Sequence, residues 1–277
     1  MAHLLETVRA AAAPWGLNLA AATSVARYDA QAPATMRAAA ADRDAQSIIV
    51  VANGGGDFWR AFTAHAAANP GWRERANPLD DFTRAAVEGA IAPSVRAQGV
   101  RCTPLYPFMA GAPTLNFMEL GKLAGLAGPS IVGVVVHPVY GPWIAFRAAL
   151  LVDVAIDAPG AALGFDPCPG CTARSCVAAC PAQAVSSGAG WDIPKCLTHR
   201  VEREVDCALR CHARVACVIG PQHRYPDDEL AYHQRRALGA MRPYYETHIR
   251  PGRTGGGRVG TEAAPRRLGH PSQPRPK

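Results

Sequence analysis

The chain has 277 residues, 49% of them apolar, enough for a sizeable core in one large domain or in a domain with a smaller module attached. The formal net charge of +7 points toward nucleic acid only until its distribution is read: from Arg250 onward seven Lys or Arg face one acid, Glu262, and little excess remains before it. No run of 18 or more residues is apolar enough to span a membrane, so no membrane partner is expected and nucleic acid is not the expected partner either.

The start, MAHLLETVRAAAAPWG, carries Glu6 and lacks a basic segment followed by a cleavage site. It reads as a first helix rather than a leader, which makes a cytoplasmic protein the expectation. Residues 1–45 are alanine-rich and predict one or two helices. SIIVV (47–51) predicts a strand that ends in the turn-forming NGGG (53–56). NGGG lacks the G-x-G-x-x-G spacing, so no dinucleotide site is read there. DFWRAFTAHAAA (57–68) has helical spacing, and 77–99 predicts a helix with Asn77 as N-cap and Pro78 at its first position. SIVGVVVHP (130–138) and PWIAFRAALLVDVAI (142–156) predict a hairpin, with Ile144, Phe146 and Ala148 sharing one face of the second strand. PGAALGFDP (159–167) reads as a linker, residues 227–241 as a charged helix, and 250–277 as a disordered basic tail too poor in apolar residues to fold.

Nine cysteines occur, and all but Cys102 crowd into the interval from Cys168 to Cys217. Cys102 reads as a small buried hydrophobe. The first group, CPGCTARSCVAACP, places Cys168, Cys171, Cys176 and Cys180 before Pro181. It has the opening C-x2-C and the closing C-x3-C-P of the bacterial ferredoxin run, with two extra residues in the middle gap. The second group is Cys196, Cys207, Cys211 and Cys217, completing the eight thiolates that two [4Fe–4S] clusters need. In the ferredoxin pattern the fourth cysteine of the run serves the other cluster. That rule assigns Cys168, Cys171, Cys176 and Cys217 to one cluster and Cys180, Cys196, Cys207 and Cys211 to the other. Two four-cysteine zinc sites are the alternative, but zinc ribbons pair two C-x2-C knuckles and only one occurs here. A disulfide framework does not suit a chain of this size without a leader.

Cys196, a spacer, and then Cys207, Cys211 and Cys217 after the C-P-ending motif resemble the two-cluster module of the epoxyqueuosine reductases, which follows a cobalamin-binding domain. The stretch 123–153 is similar to that family's AGLGWIGK element and the strands after it, although AGLAGPS at 124–130 lacks the Trp-Ile-Gly-Lys part. Gly133-Val-Val-Val-His137-Pro-Val-Tyr140-Gly141-Pro-Trp143-Ile-Ala-Phe-Arg147 resembles the G-V-x-x-H-P-x-[FY]-G-x-W-x-A-x-R stretch of the CblC cobalamin-processing chaperones. Both families share a nitroreductase-like domain, and reductive dehalogenases also combine such a domain with two clusters. The resemblance implies a cobalamin site in the first domain, with flavin mononucleotide as the alternative cofactor. Departures are that CblC has no cluster module, and that Glu119, the carboxylate of 99–123, lies too near the AGLAGPS stretch to match the expected acidic proton donor.

From these readings His137, Tyr140, Gly141, Trp143 and Arg147 are the candidate cofactor contacts, and no catalytic residue is assigned. His137 is an imidazole beside an apolar strand, able to hydrogen-bond or approach a metal. Arg147 on that strand needs a ligand or a buried acid such as Asp153. The expected architecture is α+β: a CblC-like, nitroreductase-like domain over 1–160 with an antiparallel or mixed sheet, a ferredoxin-type module over 161–249, and the tail over 250–277. The expected function is an iron–sulfur reductase that takes electrons from an external donor (a ferredoxin, flavodoxin or reductase) and passes them to a corrinoid cobalt or small-molecule substrate. An electron-transfer protein without its own substrate and a flavin-dependent iron–sulfur reductase are the alternatives.

Overall fold

A computed structural model of the chain describes residues 2–109, 111, 114–156 and 164–250. Residues 251–277 of the expected tail and 159–163 of the expected linker lie outside these residues. Four strands, β1 (Leu19–Ser24), β2 (Ser47–Gly54), β3 (Cys102–Leu105) and β4 (Ile144–Val152), form one antiparallel sheet in the order β1-β2-β4-β3. Every residue of β2 is buried, because helices cover both faces of the sheet. On one face Ile49, Val51, Leu150 and Val152 pack beneath α1 (Ala2–Ala12). The same face carries α3 (Asp57–Ala68) and the run α4 (Pro78–Ala86), a π-helical turn and α5 (Ala92–Arg96), after the short α2 (Val25–Asp29) has crossed to the other side. On that other face Ile48, Val50, Leu105 and Leu151 meet Tyr28 of α2 and Leu120 and Leu123 of α6 (Phe117–Leu123). Each fully buried Ile or Leu of this sandwich contributes roughly 1.5–3 kcal/mol.

Several expectations are corrected. Leu19–Ser24 is a strand although LAAATS is alanine-rich, since pairing with β2 along its whole length outweighs alanine's helical preference. The predicted strand over 130–138 is not extended: Gly133 takes a φ of +78°, and only isolated bridges, Gly128–Val136 and His137–Gly141, remain. Ile144, Phe146 and Ala148 do not share a face. Between β2 and β4 the register steps from Val51–Ala148 to Ala52–Phe146, leaving Arg147 as the extra residue of a β-bulge. Phe146 thus turns to the α6 side with Ile144, while Ala148 lies in the α3 core. Asn77 precedes α4 without capping it, and its Oδ1 instead accepts from Arg236.

The cysteine region contains α7 (Ser175–Ala178), a two-stranded ribbon of β5 (Val185–Ser186) and β6 (Gly190–Trp191), α8 (Ile193–Glu202), α9 (Glu204–Cys207) and α10 (His212–Val215). It is followed by α11 (Asp227–Tyr244), which packs back on α3: Trp59 Nε1 donates to Asp228 at 2.9 Å and the Trp59 ring lies 5.2 Å from that of Tyr232. The cysteine region itself closes on the loop 128–143 through glycines. A Cβ at Gly128 would strike the carbonyl of Phe165, one at Gly133 the ring of Trp191, and one at Gly141 the carbonyl of Ile219. Gly141→Ala should therefore lower stability by about 1–3 kcal/mol, from steric conflict and a φ of +60°. Gly239→Ala in α11, where an added Cβ meets nothing within 4 Å, should instead gain about 1 kcal/mol. Urea unfolding of the two variants beside the parent measures both.

Candidate functional site

Two of the cysteines' surroundings are set by sharp local turns. Arg174, at a φ of +46°, donates from Nε to the Cys171 carbonyl at 2.7 Å and from Nη2 to the Pro169 carbonyl at 3.2 Å, folding the CPGC loop onto the start of α7. Cys176 then faces Cys168 and Cys171 from α7, and Cys217 arrives after α10. These four line one small pocket of about 30 Å³, bordered by Ile131, Val132, Val136, Val218 and Ile219. Burial pushes the Cys176 thiol above its ordinary value, and the thiols of Cys217, Cys168 and Cys171 push it the same way. For Cys217 burial leads again, with Cys168 and Cys171 adding to it and backbone donors opposing.

The remaining four form a second group. Burial pushes Cys207 up to about 11, and Cys211, Cys196 and Cys180 add to that rise. Burial also raises Cys196, which a hydrogen bond involving Trp191 opposes and Cys211 and Cys180 reinforce. All eight thiols are free and partly exposed, whereas Cys102 is buried in the core. Among the described residues no three His, Cys, Asp or Glu side chains converge as ligands of a single metal ion.

The five candidate cofactor residues divide into two places. His137 and Tyr140 are half-buried at the loop tip. Nδ1 of His137 accepts from the backbone N–H of Val139 and Tyr140 at 3.0 and 3.1 Å, which assigns the ring proton to Nε2. Burial lowers its pKa, and His223 lowers it further. The Tyr140 ring lies between His137 (5.0 Å) and His223 (4.7 Å) and rests on Gly54, where a Cβ would run into it. The NGGG turn is thus used for close packing, and Asn18 holds it by bonds of 2.9 and 2.8 Å to the Gly54 carbonyl and N–H.

Gly141, Trp143 and Arg147 are committed to the interior. Gly141 seats against Ile219. Trp143 is wholly buried, 5.4 Å from the Tyr225 ring, with the Arg214 guanidinium 4.9 Å above it. Arg147 donates from Nε to Asn53 Oδ1 at 2.7 Å and lies 4.4 Å over the ring of Phe58. Asp153, the acid expected for it, pairs with Arg101 at 3.1 Å on the surface instead. The charges facing Arg147 are Glu229 and Asp80.

Glu229 is fully buried, and burial pushes its carboxyl up to about 8 against the opposing charges of Arg147 and Arg214. His233, one turn on and 3.6 Å away, is pushed down to about 3, by burial first and then by Arg147, Arg214 and Arg236. Both Glu229 oxygens, His233 Nε2, Trp143 Nε1 and Arg147 Nη2 lack a hydrogen-bond partner among the described residues. Asn18, His223, Tyr225, Glu229 and His233 were not singled out from the sequence. The only signal for the last two was their spacing of four on a helix that otherwise reads as charged and exposed.

No protein-family model and no curated protein matches the chain. Solved structures do. The chain is similar to the B12-trafficking protein CblC of C. elegans, with a TM-score of 0.54 at 13% identity, covering 90% of this chain and 99% of that one. It is also similar to epoxyqueuosine reductase from Streptococcus thermophilus, with a TM-score of 0.53 at 13% identity, covering 82% and 68%. At that identity the likeness is one of fold: an antiparallel sheet between helices, as CblC has. No helix among the described residues is long and apolar enough to cross a membrane.

The buried acid gives stability a pH dependence of known sign. Its folded pKa of about 8 lies above the ordinary 4.5, so the folded state holds the proton more tightly and stability is lost as pH rises through that window. Urea unfolding between about pH 6.5 and 8, above the range in which the lowered pKa of His233 acts in the opposite sense, should show a decline of roughly 1–2 kcal/mol, most of which disappears in Glu229→Gln.

Proposed function

We propose that the chain is a two-cluster iron–sulfur reductase in which the cysteine region supplies electrons to a corrinoid held against the first domain. The observation that carries the iron–sulfur part is that Cys168, Cys171, Cys176 and Cys217 line one apolar pocket. Four free thiols around an apolar cavity suit a cubane, and that foursome is the one the ferredoxin crossover rule predicts. Cys180, Cys196, Cys207 and Cys211 would hold the second cluster, supported by their mutual electrostatic influence. Bound clusters would store and transfer single electrons, and a corrinoid would offer a reducible cobalt.

The residues around them have definable tasks. Ile131, Val132, Val136, Val218 and Ile219 give the first cysteine group an apolar surround. Arg174 stiffens the loop carrying Cys168 and Cys171. Arg214 donates from Nε and Nη2 to the Pro142 carbonyl at 3.0 and 2.6 Å, pinning the segment that carries Cys211 and Cys217 to the loop of His137 and Tyr140. His137 and Tyr140, still partly exposed, are the side chains left to face a corrinoid or a flavin. The corrinoid part is supported by the fold shared with the B12-trafficking protein.

One observation favours a second reading: Gly141, Trp143 and Arg147 are consumed by packing, which suits an electron-transfer protein whose first domain docks a partner and binds no cofactor. Anaerobic reconstitution should give about eight iron and eight sulfide per chain. Cys168→Ser or Cys217→Ser should each remove one cluster's spectrum, and Cys180→Ser or Cys196→Ser the other's. Titration of the reconstituted protein with hydroxocobalamin, and separately with flavin mononucleotide, should shift the corrinoid spectrum alone. A shift with flavin only would replace the corrinoid by flavin, and no shift with either would leave electron transfer as the function.

A further inference from the structure

We infer that Arg200 is a buried cation that raises the reduction potential of the cluster on Cys180, Cys196, Cys207 and Cys211, an inference that rests on the iron–sulfur reading above. Of the Lys, Arg, Asp and Glu residues over 164–217, Arg200 alone is buried, at 8% exposure. It stands on α8 four residues after Cys196, about one helical turn along. Its guanidinium reaches α11, donating from Nη2 to the Gln234 carbonyl at 2.9 Å and from Nη1 to Met241 Sδ at 3.7 Å. Nε is buried and has no partner among the described residues. A carbonyl and a thioether are both met by a neutral donor, so neither partner calls for a charge. No carboxylate bonds to this arginine among the described residues. A full charge taken out of water without a counter-ion is strongly unfavourable.

The second cysteine group supplies that counter-ion once it holds a cluster, because four thiolates give the assembly a net negative charge in either oxidation state. The field of Arg200 already reaches these thiols: it opposes the upward push of burial on Cys196 and Cys207. No cation is among the leading influences on Cys176 and Cys217 of the first group. One electron taken from an external low-potential donor adds one negative charge to the cluster and breaks no bond. A cation fixed in the interior lowers the cost of that added charge, so the cluster is reduced at a higher potential. Other charges of both signs lie near, but Glu202, Glu204, Asp206, Lys195 and Arg203 are exposed, where water and salt screen them. Arg200 is sheltered from that screening.

The test is a redox titration of the reconstituted full chain with dithionite, followed by electron paramagnetic resonance. The signals of the two clusters are assigned with the Cys217→Ser and Cys180→Ser chains. Arg200→Met, neutral and of similar length, should shift the second cluster's reduction equilibrium roughly tenfold toward the oxidised form, a fall of about 59 mV for one electron. The first cluster, in the same molecule, should keep its potential. Arg200→Gln retains a donor for the Gln234 carbonyl without the charge and should fall as far. Arg200→Lys retains the charge and should stay near the parent. An unchanged second potential in either neutral variant with iron intact would overturn the inference. So would an Arg200→Lys chain that falls as far as Arg200→Met, since the shape of the side chain and not its charge would then matter. Loss of the second cluster from all three variants would make Arg200 a structural tie between α8 and α11 and overturn it too, whereas loss from the neutral pair alone supports the role of charge. A parent chain that takes up no iron would instead sink the iron–sulfur reading, and this inference with it.

Discussion

A guanidinium buried in the middle of a sheet is the constraint around which the two halves of this protein are joined. The β-bulge turns Arg147 toward α3, where solvent cannot reach it. A buried charge is tolerable only with compensating partners. Arg147 has the Asn53 amide oxygen of β2 and the face of Phe58 of α3, and the largely protonated carboxyl of Glu229 lies near it. Glu229 is supplied by α11, after the cysteine region, so the end of the chain packs back beside the arginine of the sheet.

From that contact the seam extends outward. Tyr225, just before α11, packs on Trp143, and Arg214 stacks over both rings while bonding the Pro142 carbonyl. Arg214 lies on α10 between Cys211 and Cys217. A continuous path of packed and charged groups therefore runs from the sheet to the cysteines. The glycines at 128, 133 and 141 let backbone and rings close the same joint without a gap. The buried polar atoms left without partners at this seam sit at the most polar interior place described, and the opposite pKa shifts of Glu229 and His233 follow from their burial there.

Much of the architecture was legible because it rests on local patterns. SIIVV is β-branched and lies in a strand, DFWRAFTAHAAA begins and ends where the helix does, and Pro78 opens the next one. Where local preference conflicted with pairing, the pattern misled: LAAATS reads as helix and SIVGVVVHP as strand, yet strand partners and a left-handed glycine decide each the other way. The alternation of β4 failed at a single residue, since one bulge reverses the faces on either side of it.

The eight cysteines and their order are a property of the sequence alone, and so is the crossover they suggest, because ligand spacing along a tight loop is local. What only the tertiary structure decided is which of them line one pocket: Cys217 joins Cys168, Cys171 and Cys176 after 40 intervening residues have folded between. It also places Trp143 and Arg147 in the buried seam and leaves His137 and Tyr140 partly exposed. Adjacent residues of one motif parted because a tight turn and a bulge point neighbouring side chains to opposite sides, and no one-dimensional spacing records that.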